Sequence, residues 1–260
     1  MELSLKDKIA LVTGGSHGIG REIAFALADE GCRVAVCARN KDRLTSVADS
    51  ISLRGHEVLA IPADAQQPQD VERVVREVAS AWGAIHILVN NVGGGGRWGQ
   101  PTIEETKEDV WVAVYNKNAM AAVRFTRLVV PYMRRQKWGR VVTIASIHGR
   151  EGGGRPWFMM AKSAEISLMK SLSMTAGLAG DGITFNTVSP GRIMIPDTGW
   201  EAERNKDPIA FDRMLRETLP QGRMGKPEEV AAVVTFLCSE KAGLVNGANI
   251  AVDGGEGRTF

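Results

Sequence analysis

Seven short apolar runs recur along this chain, and stretches with apolar residues at helical spacing separate them. The runs are "KIALVT", "RVAVCA", "EVLAIP", "IHILVN", "GRVVTIA", "GITFNTV" and "ANIAV". They are continuously apolar rather than alternating, which is the pattern of strands covered on both faces. Strands of that kind, alternating with helices, imply a parallel sheet between two helical layers. The chain of 260 residues is long enough to bury such a sheet. The reading is therefore α/β: a single doubly wound domain over 1–260 with a seven-stranded parallel sheet. Only the polar stretch at about 196–221 carries no clear strand or helix signal.

The turn after the first run, "TGGSHGIG" (Thr13–Gly20), places Gly14, Gly18 and Gly20 between a strand and a helix. Glycines there let the backbone turn tightly and approach a pyrophosphate, whose charge is favoured at a helix N-terminus. Ser16, His17 and Ile19 complete the turn. This makes the domain Rossmann-type. The second run ends in "CARNKDR", with Arg39 and no acid until Asp42. An acid there would hold an adenosine ribose, whereas a guanidinium stacks on adenine and binds a 2′-phosphate. The expected cofactor is therefore NADP(H) rather than NAD(H), with His17 adding to the phosphate site.

Other classes are disfavoured. Lys and Arg total 32 against 30 acids, so no global charge attracts nucleic acid or a membrane surface. Cys32, Cys37 and Cys238 match no metal spacing and read as buried thiols; no metal is expected. No apolar run approaches 18 residues and "MELSLKDK" is not a secretory signal, so a cytoplasmic protein is expected.

From this point the chain resembles the short-chain dehydrogenase/reductase family, and within it the 3-oxoacyl-acyl-carrier-protein reductase-like branch. The Gly-x-x-x-Gly-x-Gly spacing at Gly14, Gly18 and Gly20 is the family's form of the turn. "PADAQ" resembles its acid after the third strand, so the resemblance places Asp64 and Ala65 at the adenine. "NNVG" (Asn90–Gly93) resembles the segment that braces the sheet and lines the cofactor. "VWVAVYNKN" maps the family's active-site Asn onto Asn118, and "VVTIASIHG" maps its Ser onto Ser146. "NTVSPGRI" puts Pro190, Gly191 and Ile193 under the nicotinamide. The implied chemistry is hydride transfer between nicotinamide and a carbonyl, alcohol or imine. In the family a Tyr moves the proton and a Lys four residues later lowers the Tyr pKa and binds the nicotinamide ribose. A Ser polarises the carbonyl oxygen, and an Asn holds a water in the relay.

Lys162 carries over in "RPWFMMAK", but the residue one turn before it is Phe158, which has no proton to give. Neither Tyr115 nor Tyr132 lies on that helix. Four readings stay open. The proton comes from another group, His148 being the first candidate and Tyr115 a second; or the substrate needs no enzyme acid; or the Phe is an engineered replacement; or the chain is a disabled, cofactor-binding or structural homologue. The Thr that often holds the nicotinamide amide is also replaced, by Ile195, which leaves Thr198 or the backbone at Ile193 for that role.

For the substrate, the expected wall is His148, Trp157, Arg192 and Met194, with Trp98 and Trp200 adding apolar surface and Arg97, Arg150 and Arg155 adding charge. These point to a small molecule that is anionic or highly oxygenated. The segment at about 196–221 is expected to act as a substrate lid. The resemblance implies a homotetramer or homodimer formed through the helices that carry Asn118 and Lys162.

Overall fold

The computed structural model describes residues 2–100 and 102–259. In chain order the elements are β1 (Ile9–Thr13), α1 (Gly18–Asp29), β2 (Arg33–Ala38), α2 (Lys41–Leu53), β3 (Val58–Pro62), α3 (Pro68–Trp82) and β4 (Ile87–Asn90). There follow α4 (Glu108–Tyr115), a π turn (Asn116–Met120), α5 (Ala121–Arg135), β5 (Gly139–Ile144) and a 3₁₀ turn (Ile147–Gly149). The remainder is α6 (Pro156–Ser173), α7 (Ala176–Ala179), β6 (Ile183–Pro190), α8 (Gly199–Lys206), α9 (Pro208–Thr218), α10 (Pro227–Leu237) and β7 (Asn249–Val252).

The seven strands form one sheet of order β3-β2-β1-β4-β5-β6-β7, every pair parallel. Ala10 pairs with Val34 on one side and with Ile87 on the other. The chain reverses its direction of travel across the sheet between β1 and β4, so a crevice opens at the carboxyl ends of those strands, where α/β sheets bind ligands. β1, β4, β5 and β6 are buried along their full lengths, the polar Arg140 of β5 and Asn186 and Ser189 of β6 included.

Two apolar layers sandwich the sheet. One holds Ile23 and Leu27 of α1, Val47 and Ile51 of α2, and Val230 and Val234 of α10. The other holds Val71 and Val75 of α3, Phe125 and Val129 of α5, and Met169 of α6. Local signals set the helix ends. Asn40 caps α2 by accepting from the Arg43 amide at 2.9 Å. Pro68 opens α3, and Gly83 closes it in a left-handed conformation.

All three cysteines are buried. Burial pushes the Cys32 and Cys37 thiols up to about 12 and raises Cys238 as well. The thiolate is the reactive form, so native protein should give no fast reaction with a disulfide reagent, and three thiols should appear on unfolding. A fast native titration would contradict this packing. Among the described residues no helix is long and apolar enough to cross a membrane, and no cluster of His, Cys, Asp and Glu could hold a metal.

Two features were not legible beforehand. The stretch at 196–221 contains α8 and α9 rather than an open loop. The long helix after β4 is interrupted by the π turn at Asn116–Met120.

Candidate active site

A cavity of about 940 Å³ opens at the carboxyl end of the sheet, lined by His17, Gly18 and Ile19 of the first turn and by Pro190, Gly191, Arg192 and Ile193 after β6. A neighbouring cleft of about 390 Å³ is lined by Gly14, Ser16, Arg39, Asp64 and Ala65. His17, Asn91 and Gly93 border both, so the two form one continuous channel. Gly14 makes the turn with φ of 66°, where a side chain is strained, and Gly20 is buried at the start of α1.

Asn118 is fully buried in the π turn. The extra residue of such a turn frees carbonyls from the helical ladder and re-aims a side chain. The Asn118 amide donates to the carbonyls of Val114 at 2.7 Å and Gly94 at 2.8 Å, and its Oδ1 accepts from the Gly94 amide at 3.0 Å. Lys162, on α6, donates from Nζ to the Ile144 carbonyl at 2.9 Å and to Glu165 Oε2 at 2.9 Å. An ammonium has three protons, so one remains uncommitted. A Cβ on Gly93 would lie 2.7 Å from Asn118 Oδ1 and 2.9 Å from Lys162 Nζ, so both polar groups reach up to the bare side of that glycine.

Ser146 sits on extended backbone at the end of β5, and its Oγ accepts from the His148 amide at 3.2 Å, which leaves its hydroxyl proton for a ligand. The His148 ring lines the cavity, and its buried Nδ1 has no hydrogen-bond partner. Phe158 lines the same cavity with its ring centre 5.8 Å from Lys162 Nζ. Thr198 also faces the cavity and donates to the Ile195 carbonyl at 2.6 Å.

Several expected residues lie elsewhere. Asn90 braces the sheet, donating to Thr126 and Thr143 hydroxyls; it is Asn91 that borders the channel, tied to Thr13 and Gly14 carbonyls. Trp157 is wholly buried against Trp111, Val114 and Ala161, because its position one residue from Phe158 turns it about 100° around α6 into the packing with α4. Met194 packs on Phe211, Leu215 and Met224, which bury the apolar face of α9. His17, by contrast, stays at the border of both hollows and contacts the Pro196 carbonyl at 2.8 Å. Trp98 lies beside Lys117, 4.6 Å from ring centre to Nζ, outside the cavity lining. Arg150 is likewise absent from that lining, whereas Trp200, Arg97, Arg155 and Arg192 belong to it.

Two of these arginines come with counter-ions. Arg97 pairs with Glu203 at 3.0 Å and Arg192 with Glu256 at 3.0 Å; Arg155 bonds the Gln100 carbonyl. Glu256 lines the cavity and was not expected there, because only the folded chain brings the 253–259 segment back over the site. Two more residues were missed. Lys117, half-buried in the cleft with Arg39, makes no hydrogen bond or ion pair among the described residues, and burial and Arg39 lower its pKa. Glu165 is 1 % exposed, and its spacing of three from Lys162 was readable in the sequence.

Comparison with known proteins agrees with this geometry. Residues 14–256 match the family described as enoyl-(acyl carrier protein) reductase. The 3-oxoacyl-(acyl-carrier-protein) reductase of Staphylococcus epidermidis is 36 % identical over 251 residues, covering 96 % of this chain and 98 % of that protein. The enzyme of the same name from Thermotoga maritima is 33 % identical over 254 residues, covering 97 % and 99 %. L-sorbose reductase from Gluconobacter frateurii, solved with NADPH and L-sorbose, superposes with a TM-score of 0.91 at 33 % identity over 100 % of both chains. Sheet order, glycine turn and these matches over nearly its whole length agree: the chain belongs to the short-chain dehydrogenase/reductase family of oxidoreductases.

Proposed function

We propose that the protein is an NADP(H)-dependent oxidoreductase that interconverts a carbonyl and an alcohol on a small, neutral, oxygen-rich substrate. The observation that carries the reading is that the Lys162 ammonium and the Asn118 amide both lie against Gly93, beside the β1–α1 turn. The residues fit the cofactor: a glycine cradle leads into a cleft that holds two cations, Arg39 and Lys117, where an acid would repel a 2′-phosphate. Gly14, Ser16, His17, Gly18 and Ile19 would hold the pyrophosphate, Asp64 and Ala65 the adenine, and Lys162 with Pro190, Gly191 and Ile193 the nicotinamide half. When bound, the dinucleotide supplies or accepts the hydride.

The chain's own groups do the rest. Ser146 donates its hydroxyl to the substrate oxygen, and Asn118 fixes the loop at Gly94. Phe158 occupies the place where the family's Tyr is expected and contributes an apolar wall. His148 is the proton carrier of this reading, because its buried Nδ1 beside the cavity has no other partner. The two carboxylate-paired arginines cancel most of the positive charge at the mouth, which favours hydroxyl groups over a carboxylate as the ligand. The likeness to a reductase solved with L-sorbose supports the same class. The helices at 199–218 serve as the lid over this end.

A second copy of the chain is the proposed partner. The outer faces of α4 and α6 carry an open apolar hollow that includes Ile103, Trp111, Val112, Tyr115 and Met160. A monomer in sedimentation would remove that part of the reading.

The test of the cofactor assignment is direct titration. NADPH should bind tighter than NADH, and equal affinity would overturn the assignment. Arg39→Ala should weaken NADPH about tenfold to a hundredfold, the worth of a charge-assisted bond, while NADH changes little. A parallel loss for both cofactors would place Arg39 outside the phosphate site.

A further inference from the structure

We propose that Glu165 is a positioning residue, the buried counter-ion that holds Lys162 and neutralises its charge toward residue 158. This goes beyond the functional reading and depends only on the geometry of α6. Glu165 and Lys162 are 1 % and 4 % exposed, and their charged atoms are 2.9 Å apart. A carboxylate so deeply buried is kept only where a partner compensates it. At this depth of burial the two charges act on neighbouring groups largely as one pair, and their net charge is small. Burial raises the Glu165 pKa, and Lys162 opposes that rise.

The geometry explains how the site can keep its lysine without a phenol. A bare ammonium near a Tyr hydroxyl draws off the hydroxyl's proton, and the resulting phenolate and ammonium balance each other. Here residue 158 is Phe and cannot supply the negative charge. Glu165 supplies it from the opposite side of Lys162, three residues along the same helix. Lys162 is thereby held between Glu165 and the Ile144 carbonyl, with its third proton uncommitted near Gly93. The other titratable groups on elements packed against α6 are Glu108, Asp109 and Tyr115 of α4, Lys117 of the π turn, Arg140 of β5 and His148 of the 3₁₀ turn. None of them makes a hydrogen bond or ion pair with Lys162 among the described residues.

The consequence is specific. A phenol introduced by Phe158→Tyr meets a compensated lysine, so it should ionise at or above the ordinary value of about 10. Adding Glu165→Gln removes the compensation, and the same phenol should ionise lower by roughly one pH unit or more. Adding Glu165→Asp instead should keep the single variant's titration. Ultraviolet titration of the ligand-free protein reads this directly, with Tyr115 and Tyr132 as a background common to every variant. A phenol in the Phe158→Tyr protein that ionises well below about 10 overturns the proposal by itself, even if the double variants do not fold. An identical titration with Glu165 and with Gln at that position overturns it as well. Neither outcome depends on cofactor binding, so the functional reading stands or falls separately by the NADPH titration.

Discussion

Lys162→Met should abolish measurable turnover and weaken NADPH binding at least about a hundredfold, the loss of one buried charged anchor. It should also lower the melting temperature by about 10 °C. The stability loss follows from Glu165, which the substitution leaves buried without its partner. Breaking one side of a buried pair costs about 3–5 kcal/mol. The lower end applies here, because burial already raises the Glu165 pKa and the carboxyl can neutralise itself by taking up a proton. At about 2–4 °C per kcal/mol for a chain of this size, the loss is about 10 °C. The sign of the pH dependence is fixed. In Lys162→Met the folded state holds a proton on Glu165 that the unfolded chain releases above about pH 4.3, so stability falls as pH rises. The melting deficit should be smaller at pH 5 than at pH 8, and Lys162→Met/Glu165→Leu should recover most of it. Calorimetry at the two pH values checks both statements; a deficit independent of pH would mean that Glu165 is not the group left exposed to the loss.

The second large effect is at His148. If its imidazole moves the proton, His148→Ala should reduce kcat about 10²–10⁴-fold, the usual worth of a positioned acid or base. NADPH affinity should stay within about twofold, because His148 borders the substrate end of the channel and not the Arg39 cleft. Single-turnover absorbance of the nicotinamide separates the two quantities. An unchanged rate removes His148 from the chemistry and leaves Tyr115 as the acid, or a substrate that needs no enzyme acid, as the surviving readings.

The parts of this molecule that sequence makes legible are those set by repetition. Each strand of a parallel sheet is apolar throughout, so "IALVT" and "ILVN" announce themselves, and the strand–turn–helix context of Gly14, Gly18 and Gly20 locates the crevice. What was not legible depends on which way a side chain faces. Trp157 and Phe158 are neighbours in the chain, yet one is core and the other lines the cavity. α8 buries no residue, so it leaves no apolar periodicity to read. Asn90 and Asn91 divide bracing from lining, a choice set by the alternation of faces at the strand end. Glu256 reaches the site only through the returning chain, and no local pattern marks such a contact.

The order of the strands also governs how this chain comes to be made. β1 is an interior strand of the sheet, but its partner β4 is encoded far downstream, Ala10 having to wait for Ile87. At about 5–20 residues per second, a ribosome takes roughly 4–15 s to cover that interval. Until β4 is made, the β1 side that it will cover is an open apolar edge of the kind that recruits foreign strands. Slow, topology-limited assembly is thus built into the sheet that later forms the floor of the candidate site.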